Sequence, residues 1–250
     1  LRRRLPGPGF SIVLERPFVV IGNDTPERVR QYAARTVRWA VQRLKQSYFT
    51  KDPKQILNIW LFRDARSYRH YVTILYGEKP DTPYGFYSSS KRGLFMNIAT
   101  GGGTLVHEIV HPFIEANFPS CPAWFNEGLG SLYEQASERD GQIIGLTNWR
   151  LAGLQTAIRK GGLTRFRSLL GQNEKQFYRD VHGTNYAQSR YLLYYLQERR
   201  LLRRYYRAFL ENRRRDPSGY KTLRKILGNP DMTQFQRQWE RYVLGLRFNG

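Results

Sequence analysis

The stretch Thr104-Leu105-Val106-His107-Glu108-Ile109-Val110-His111, followed by Trp124-Phe125-Asn126-Glu127-Gly128, decides how this chain is read. A helix advances 3.6 residues per turn, so His107 and His111 stand one turn apart on one face, where two imidazoles can hold one Zn²⁺. Glu108 lies beside them, placed to take a proton from a water that the metal activates. Such a centre needs a third protein ligand and one open position. Glu127 is the best candidate. Glu115 competes, but a carboxylate one turn past His111 on the same helix reaches the metal poorly beside both imidazoles. The chain has four histidines, and two fall in this pattern. Leu105, Val106, Ile109, Val110, Phe113 and Ile114 make the helix apolar almost all round, so it should be buried. Polar groups on a buried helix need partners, and a metal is one.

Residues 124–130 read W-F-N-E-G-L-G. This segment resembles the W-L-N-E-G-F-A segment of zinc aminopeptidases and the W-x-x-E-G-[LF]-[AG] segment of the smaller peptidase MA-like families, all gluzincins. The resemblance covers about residues 84–135, and more loosely the region around Tyr186. It implies one zinc per chain held by His107, His111 and Glu127, with Glu108 as general base in metal-assisted hydrolysis of a peptide or protein substrate. The compact peptidase MA-like group is the closer relative: fifteen residues separate His111 from Glu127, fewer than in the aminopeptidases. The aminopeptidases also carry a G-x-M-E-N segment whose glutamate holds a free amino terminus. Here the comparable stretch is Gly93-Leu94-Phe95-Met96-Asn97, without a carboxylate. Endopeptidase action is therefore expected. In that fold the strand just before the zinc helix is a sheet edge that binds an extended peptide as an added strand, and Leu94, Phe95, Met96 and Asn97 are assigned that role.

The surrounding pattern predicts an α+β fold. Residues 10–22 read as a first strand. Asp24 is a plausible N-cap for a helix in which Val29, Ala33, Val37, Val41 and Leu44 keep helical spacing. Gln55 to Phe62 is apolar on both faces and reads as a central strand. Asp64 can cap a helix running to about Leu75, and residues 84–98 read as a hairpin. The zinc helix begins near Thr104. The order resembles the gluzincin N-terminal lobe, a small twisted mixed sheet with helices. After Gln135 the chain reads as all-helical, with stretches near 147–159, 164–170, 184–199, 200–213, 219–227 and 232–245. The expected organisation is a flexible leader over residues 1–9, a zincin-like lobe over 10–135 and a helical lobe over 136–250. The two lobes would form one catalytic domain, with zinc and substrate in the cleft between them.

Hydrolysis also needs a group to steady the oxyanion. Residues 183–193 resemble the Y-A-x-S helix of peptidase MA-like proteins. Tyr186 is the candidate and His182 the runner-up. Ser131 and Glu134, one and two turns beyond Glu127, are candidates to accept an N–H from a ligand imidazole. His70, in no motif, reads as structural or surface.

An apolar content of 40% with 14% aromatic residues describes a packed protein. No apolar run reaches the eighteen residues of a membrane span. The single cysteine, Cys121, excludes an internal disulfide and reads as a buried or half-buried thiol. A removed signal peptide, a removed anchor or a trimmed chain would each explain a start at Leu1; absent disulfides fit the cytosol and many exported bacterial proteins alike, and an exported location (periplasmic, secreted or surface-anchored) is favoured over a cytoplasmic one. The net charge is +21. Residues 131–250 carry 23 basic and 10 acidic side chains, so an anionic polymer or membrane surface is an expected partner of the C-terminal lobe. Arg199, Arg200, Arg203, Arg204 and Arg213 to Arg215 form a basic helical surface, with Tyr205 and Tyr206 expected to face the core. Two other readings use the same residues: a zincin-fold binding protein without turnover, and a polyanion-binding module.

Overall fold

The computed structural model describes residues 5–7 and 9–248. Of the expected leader, residues 1–4 and 8 lie outside the described residues, whereas Leu5 packs against a hydrophobic core cluster. The class is α+β, as expected. Residues up to Asn117 form one compact unit and those from Phe118 a second.

The first unit is built on a five-stranded mixed sheet. The stretch expected to be one strand divides into β1 (Ser11–Glu15) and β2 (Phe18–Gly22), paired antiparallel from Glu15 opposite Phe18. Pro17 has no N–H to give a ladder, so the turn falls there. Next come α1 (Pro26–Tyr32), a π-helical segment over Ala33–Arg38, and α2 (Trp39–Ser47). The cap of α1 is Thr25, one residue later than expected, and its hydroxyl accepts from the Arg28 N–H. Pro26 at the first helical position explains the shift, because it holds the residue before it in extended backbone, as a cap requires. β3 (Leu57–Phe62) runs parallel to β2. α3 (Ala65–Tyr76) starts at Asp64, which forms a reciprocal capping box with Ser67. β4 (Gly85–Ser88) and β5 (Gly93–Asn97) form the expected hairpin, and α4 (Gly102–Asn117) follows.

The strand order is β1-β2-β3-β5-β4. β3 is central, and its apolar residues on both faces follow from that position. Val19, Ile21, Trp60, Phe62 and Phe95 point to one face and pack with Tyr68 and Val72 of α3. The alternate residues point to the other, where the Phe18 ring meets Phe113 of α4 at 6.2 Å. Two covered faces require continuous apolar strands, because successive side chains alternate. Full burial of each such side chain contributes roughly 1.5–3 kcal/mol.

The same order corrects one assignment. β5, which carries Leu94, Phe95, Met96 and Asn97, is not an edge: it pairs parallel with β3 and antiparallel with β4, and all four residues are buried. Its backbone groups are already used by two neighbours. The edge strand of the hairpin is β4, which lies alongside α4, where the Tyr87 hydroxyl donates to Glu115 at 2.8 Å.

The second unit contains α5 (Ala123–Leu132), β6 (Ala136–Arg139), β7 (Gln142–Gly145), α6 (Arg150–Arg159), α7 (Phe166–Leu170), α8 (Glu174–Tyr178), α9 (Thr184–Glu198), α10 (Leu202–Asn212), α11 (Tyr220–Ile226) and α12 (Met232–Gly245). The expectation of an all-helical lobe is wrong at 136–145, where β6 and β7 form a hairpin. Its turn is Asp140-Gly141, both at positive φ, the residue pair that two-residue hairpin turns favour. Arg190 of α9, fully buried, ties this hairpin to α5. Its guanidinium donates to Ser131 O at 2.9 Å, and also to Leu132 O and Leu146 O. Burial, the largest effect, pulls its pKa down to about 10, so it stays charged at neutral pH. Among the described residues, no helix is long and apolar enough to cross a membrane.

Candidate metal centre

α4 carries the motif as its sequence demands. Leu105, Val106, Ile109, Val110, Phe113 and Ile114 are all buried, so the helix threads the core of the first unit. Gly101, at φ 103°, takes the chain out of the preceding turn. At the other end Asn117 binds the backbone of Thr50 and Lys51 through both side-chain atoms, which fixes the last turn. Pro112 sits inside the helix. It has no N–H, so the carbonyl of Glu108 receives no hydrogen bond from position 112.

On this helix the His107 and His111 rings stand 4.9 Å apart at 72°. The Glu108 carboxylate lies 3.7 Å from His111 Nε2. His107, Glu108 and Glu127 are buried and His111 is half-buried. His107, His111 and Glu127 each offer one ligand atom, and these atoms all lie within 4.8 Å of one another, so the group could hold a metal ion. Two imidazoles and a carboxylate are the protein ligand set of a three-ligand catalytic zinc site. Ligand atoms about 2.1 Å from a tetrahedral ion would be roughly 3.4 Å apart. The 4.8 Å bound is wider than that, so small side-chain rotations would close the group around an ion. Glu115 is not part of it; its carboxylate is hydrogen-bonded by Tyr87.

Glu127 is presented by α5. Gly128, next to it, allows α5 and α9 to approach closely: a Cβ there would meet Ser189 Cβ at 3.1 Å and Leu193 Cδ1 at 3.2 Å. Trp124 anchors the start of α5 by donating to Ser218 O at 2.9 Å. Its ring lies in an aromatic cluster with Phe125, Tyr205 and Phe209. The W-x-x-E-G pattern thus has a packing reason at each end and the candidate ligand between.

The structure brings in a residue that sequence reasoning missed. Tyr178, the last residue of α8, donates its hydroxyl to Glu127 Oε1 at 2.6 Å. Burial, then the charge of Glu127 and this hydrogen bond, push the Tyr178 pKa upward, so the phenol stays a donor. Tyr178 thus bonds one oxygen of the carboxylate that stands with His107 and His111. The ring of Tyr186 is 6.3 Å from that of Tyr178 and 5.3 Å from that of Phe177. The Arg150 guanidinium lies over the Tyr186 ring. His182 is exposed, and its backbone N–H is bonded to Asp180.

Two expected supporting residues are placed differently. Ser131 is fully buried, and its hydroxyl meets no hydrogen-bond partner among the described residues, so it does not accept from an imidazole. α5 ends at Leu132, so Glu134 leaves the helix face on which its role rested. Its carboxylate is gripped by Arg150 at 2.7 and 2.8 Å and by Asn148 at 3.1 Å. Tyr68 of α3 is buried with an unpartnered hydroxyl, and its pKa is raised by burial first and the charge of Glu108 second. Cys121 is half-buried, donates weakly to Pro122 O, and is held neutral by desolvation, as expected of a plain thiol. His70 is exposed on α3, also as expected.

No family model matches this chain, and no curated protein does.

Proposed function

We propose that the chain is a zinc-dependent endopeptidase of the gluzincin kind, in the compact peptidase MA-like group. The observation that carries the reading is the convergence of His107, His111 and Glu127 within 4.8 Å, with the Glu108 carboxylate 3.7 Å from His111 Nε2. In this reading the five-stranded sheet and α4 are the zincin-like half of a catalytic domain, and α5 opens the other half.

Bound zinc would supply Lewis acidity, polarising the scissile carbonyl and bringing the pKa of water close to neutrality. Glu108 accepts the proton of the attacking water and delivers it to the leaving nitrogen. A purely structural metal site has no use for a carboxylate in that position, which favours turnover over passive binding. Tyr178 orients Glu127 through one oxygen. Tyr186 is left as the phenol that donates to the oxyanion. An extended substrate adds to the sheet along β4, the edge strand beside α4, whose outer side has no strand neighbour among the described residues. No carboxylate stands in residues 93–97 to hold a free amino terminus, which favours internal cleavage.

The test is a pair of variants. Glu108→Gln should retain metal and fold but lose about a hundred- to ten-thousandfold in hydrolysis. The double variant His107→Ala/His111→Ala should lose both metal and activity. Wild-type turnover by Glu108→Gln would remove Glu108 from the reaction.

A further inference from the structure

Away from the metal centre, the strongest unexplained feature is a row of arginines at the start of α10. Arg203, Arg204 and Arg207 lie in the first two turns of α10, with Arg203 and Arg207 one turn apart on one side, and Arg200 stands just before the helix. With Ala208 and Glu211 they line an open groove of about 330 Å³. Arg200, Arg204 and Arg207 are exposed and Arg203 is half-buried. None of the four side chains bonds to a carboxylate among the described residues. Like charges gathered at this spacing repel one another until an anion neutralises them.

The backbone gives a second, independent sign. α9 ends in a Schellman motif, with Arg200 N donating to Gln197 O at 2.8 Å and Leu201 N to Leu196 O at 2.7 Å. The first of these donors, Arg200, has φ 57°, the left-handed region where glycine is the ordinary choice. The same chain uses Gly77 after α3 and Gly228 after α11. At this helix end an arginine takes the conformation, as Arg92 does in the turn between β4 and β5 at φ 51°, and outliers of that kind are found at ligand clamps.

We propose that this groove is a binding site for a compact ligand carrying two or more phosphate groups. Guanidinium forks match phosphate oxygens in bidentate geometry. Tyr205 and Tyr206, which interleave with the arginines in sequence, are buried at 0% and 2% exposure and offer no platform for stacked bases. No large apolar side chain is exposed on α10, so an anchor for insertion into a lipid surface is missing. Glu211, one turn beyond Arg207, ends the row with a negative charge that opposes a polymer running on along the helix. The inference does not depend on the metal centre.

The experiment is calorimetric titration of the full chain with inorganic tripolyphosphate, with orthophosphate and an oligothymidylate as the other arms, at about 50 and about 300 mM salt. Tripolyphosphate should bind, more tightly than orthophosphate. Arg203→Glu/Arg204→Glu/Arg207→Glu should weaken it by about tenfold or more. Arg214→Glu/Arg215→Glu/Lys221→Glu, the same charge change outside the groove, should leave it nearly unchanged. Glu211→Gln should tighten binding, a gain that no unfolding can imitate. Arg200→Gly should raise the Tm while weakening binding. Equal losses in the two triple variants would reduce the effect to net charge and overturn the proposal, as would the absence of tripolyphosphate binding. Tighter binding of the oligothymidylate than of tripolyphosphate would replace the compact ligand with a nucleic-acid strand. An Arg200→Gly variant that binds as the wild type does would remove Arg200 from the site.

Discussion

Replacing Tyr178 by Phe removes one oxygen and leaves the ring. The ring keeps its contacts with Phe177 and Tyr186, at 5.5 and 6.3 Å between centroids, so α8 should hold its place. What is lost is the 2.6 Å hydrogen bond to Glu127 Oε1. A hydrogen bond to a charged group contributes roughly 1.5–3 kcal/mol. Tyr178 is 49% exposed, so water can reach the abandoned oxygen and recover part of that. The remainder, about 1–2 kcal/mol, is the preference for one Glu127 orientation over others. At about 1.4 kcal/mol per tenfold, zinc affinity should fall by roughly five- to thirtyfold, within the range for loss of a group that orients a metal ligand. Competition against a chromophoric chelator at neutral pH reads this directly, and the Tm of the metal-free protein serves as control. Unchanged affinity with a lowered metal-free Tm would mean that the bond serves the fold and not the ligand, and would refute the reasoning.

Gly128→Ala adds a methyl 3.1 Å from Ser189 Cβ and 3.3 Å from its backbone carbon. The strain, typically about 1–3 kcal/mol, should outweigh the gain in helix propensity of about 1 kcal/mol; denaturant titration should show lower stability, and zinc titration weaker binding, because Glu127 moves with its neighbour. Arg190→Met leaves the carbonyls of Ser131, Leu132 and Leu146 without their donor, and unfolding experiments should show a loss of about 2–4 kcal/mol; equal stability would mean that relief of the buried charge offsets those bonds. N-acetylated and free peptides should be cleaved at similar rates, and a strict need for a free amine, seen by mass spectrometry of the products, would contradict the endopeptidase reading.

Much of the first unit was legible because its signals are local. The period of Leu105 to Ile114 marks a buried helix wherever it packs, and Asp64 with Ser67 caps α3 through neighbours in sequence. The order of the hairpin strands was not legible. β4 and β5 both carry large side chains, and which lies inward depends on pairing with β3, thirty-five residues before β5 in register. The hairpin over 136–145 had a usable signal, Asp140-Gly141, but its strands are four residues each and show little alternation. Tyr178 had no motif to mark it: α8 has five residues, and its link to Glu127 spans fifty-one positions. Glu134 looked like a residue on the ligand face only while α5 was assumed to continue past Leu132.

The central claim is that this centre holds zinc and turns over peptides. The most direct measurement is digestion of a proteome-derived peptide library by zinc-loaded wild type and by Glu108→Gln, with bound metal quantified in the same samples. The account predicts about one zinc per chain in both, internal cleavages by the wild type, and almost none by Glu108→Gln. Stoichiometric zinc in both, with no wild-type cleavage above the Glu108→Gln background, would contradict it and leave a metal-binding protein without peptidase activity.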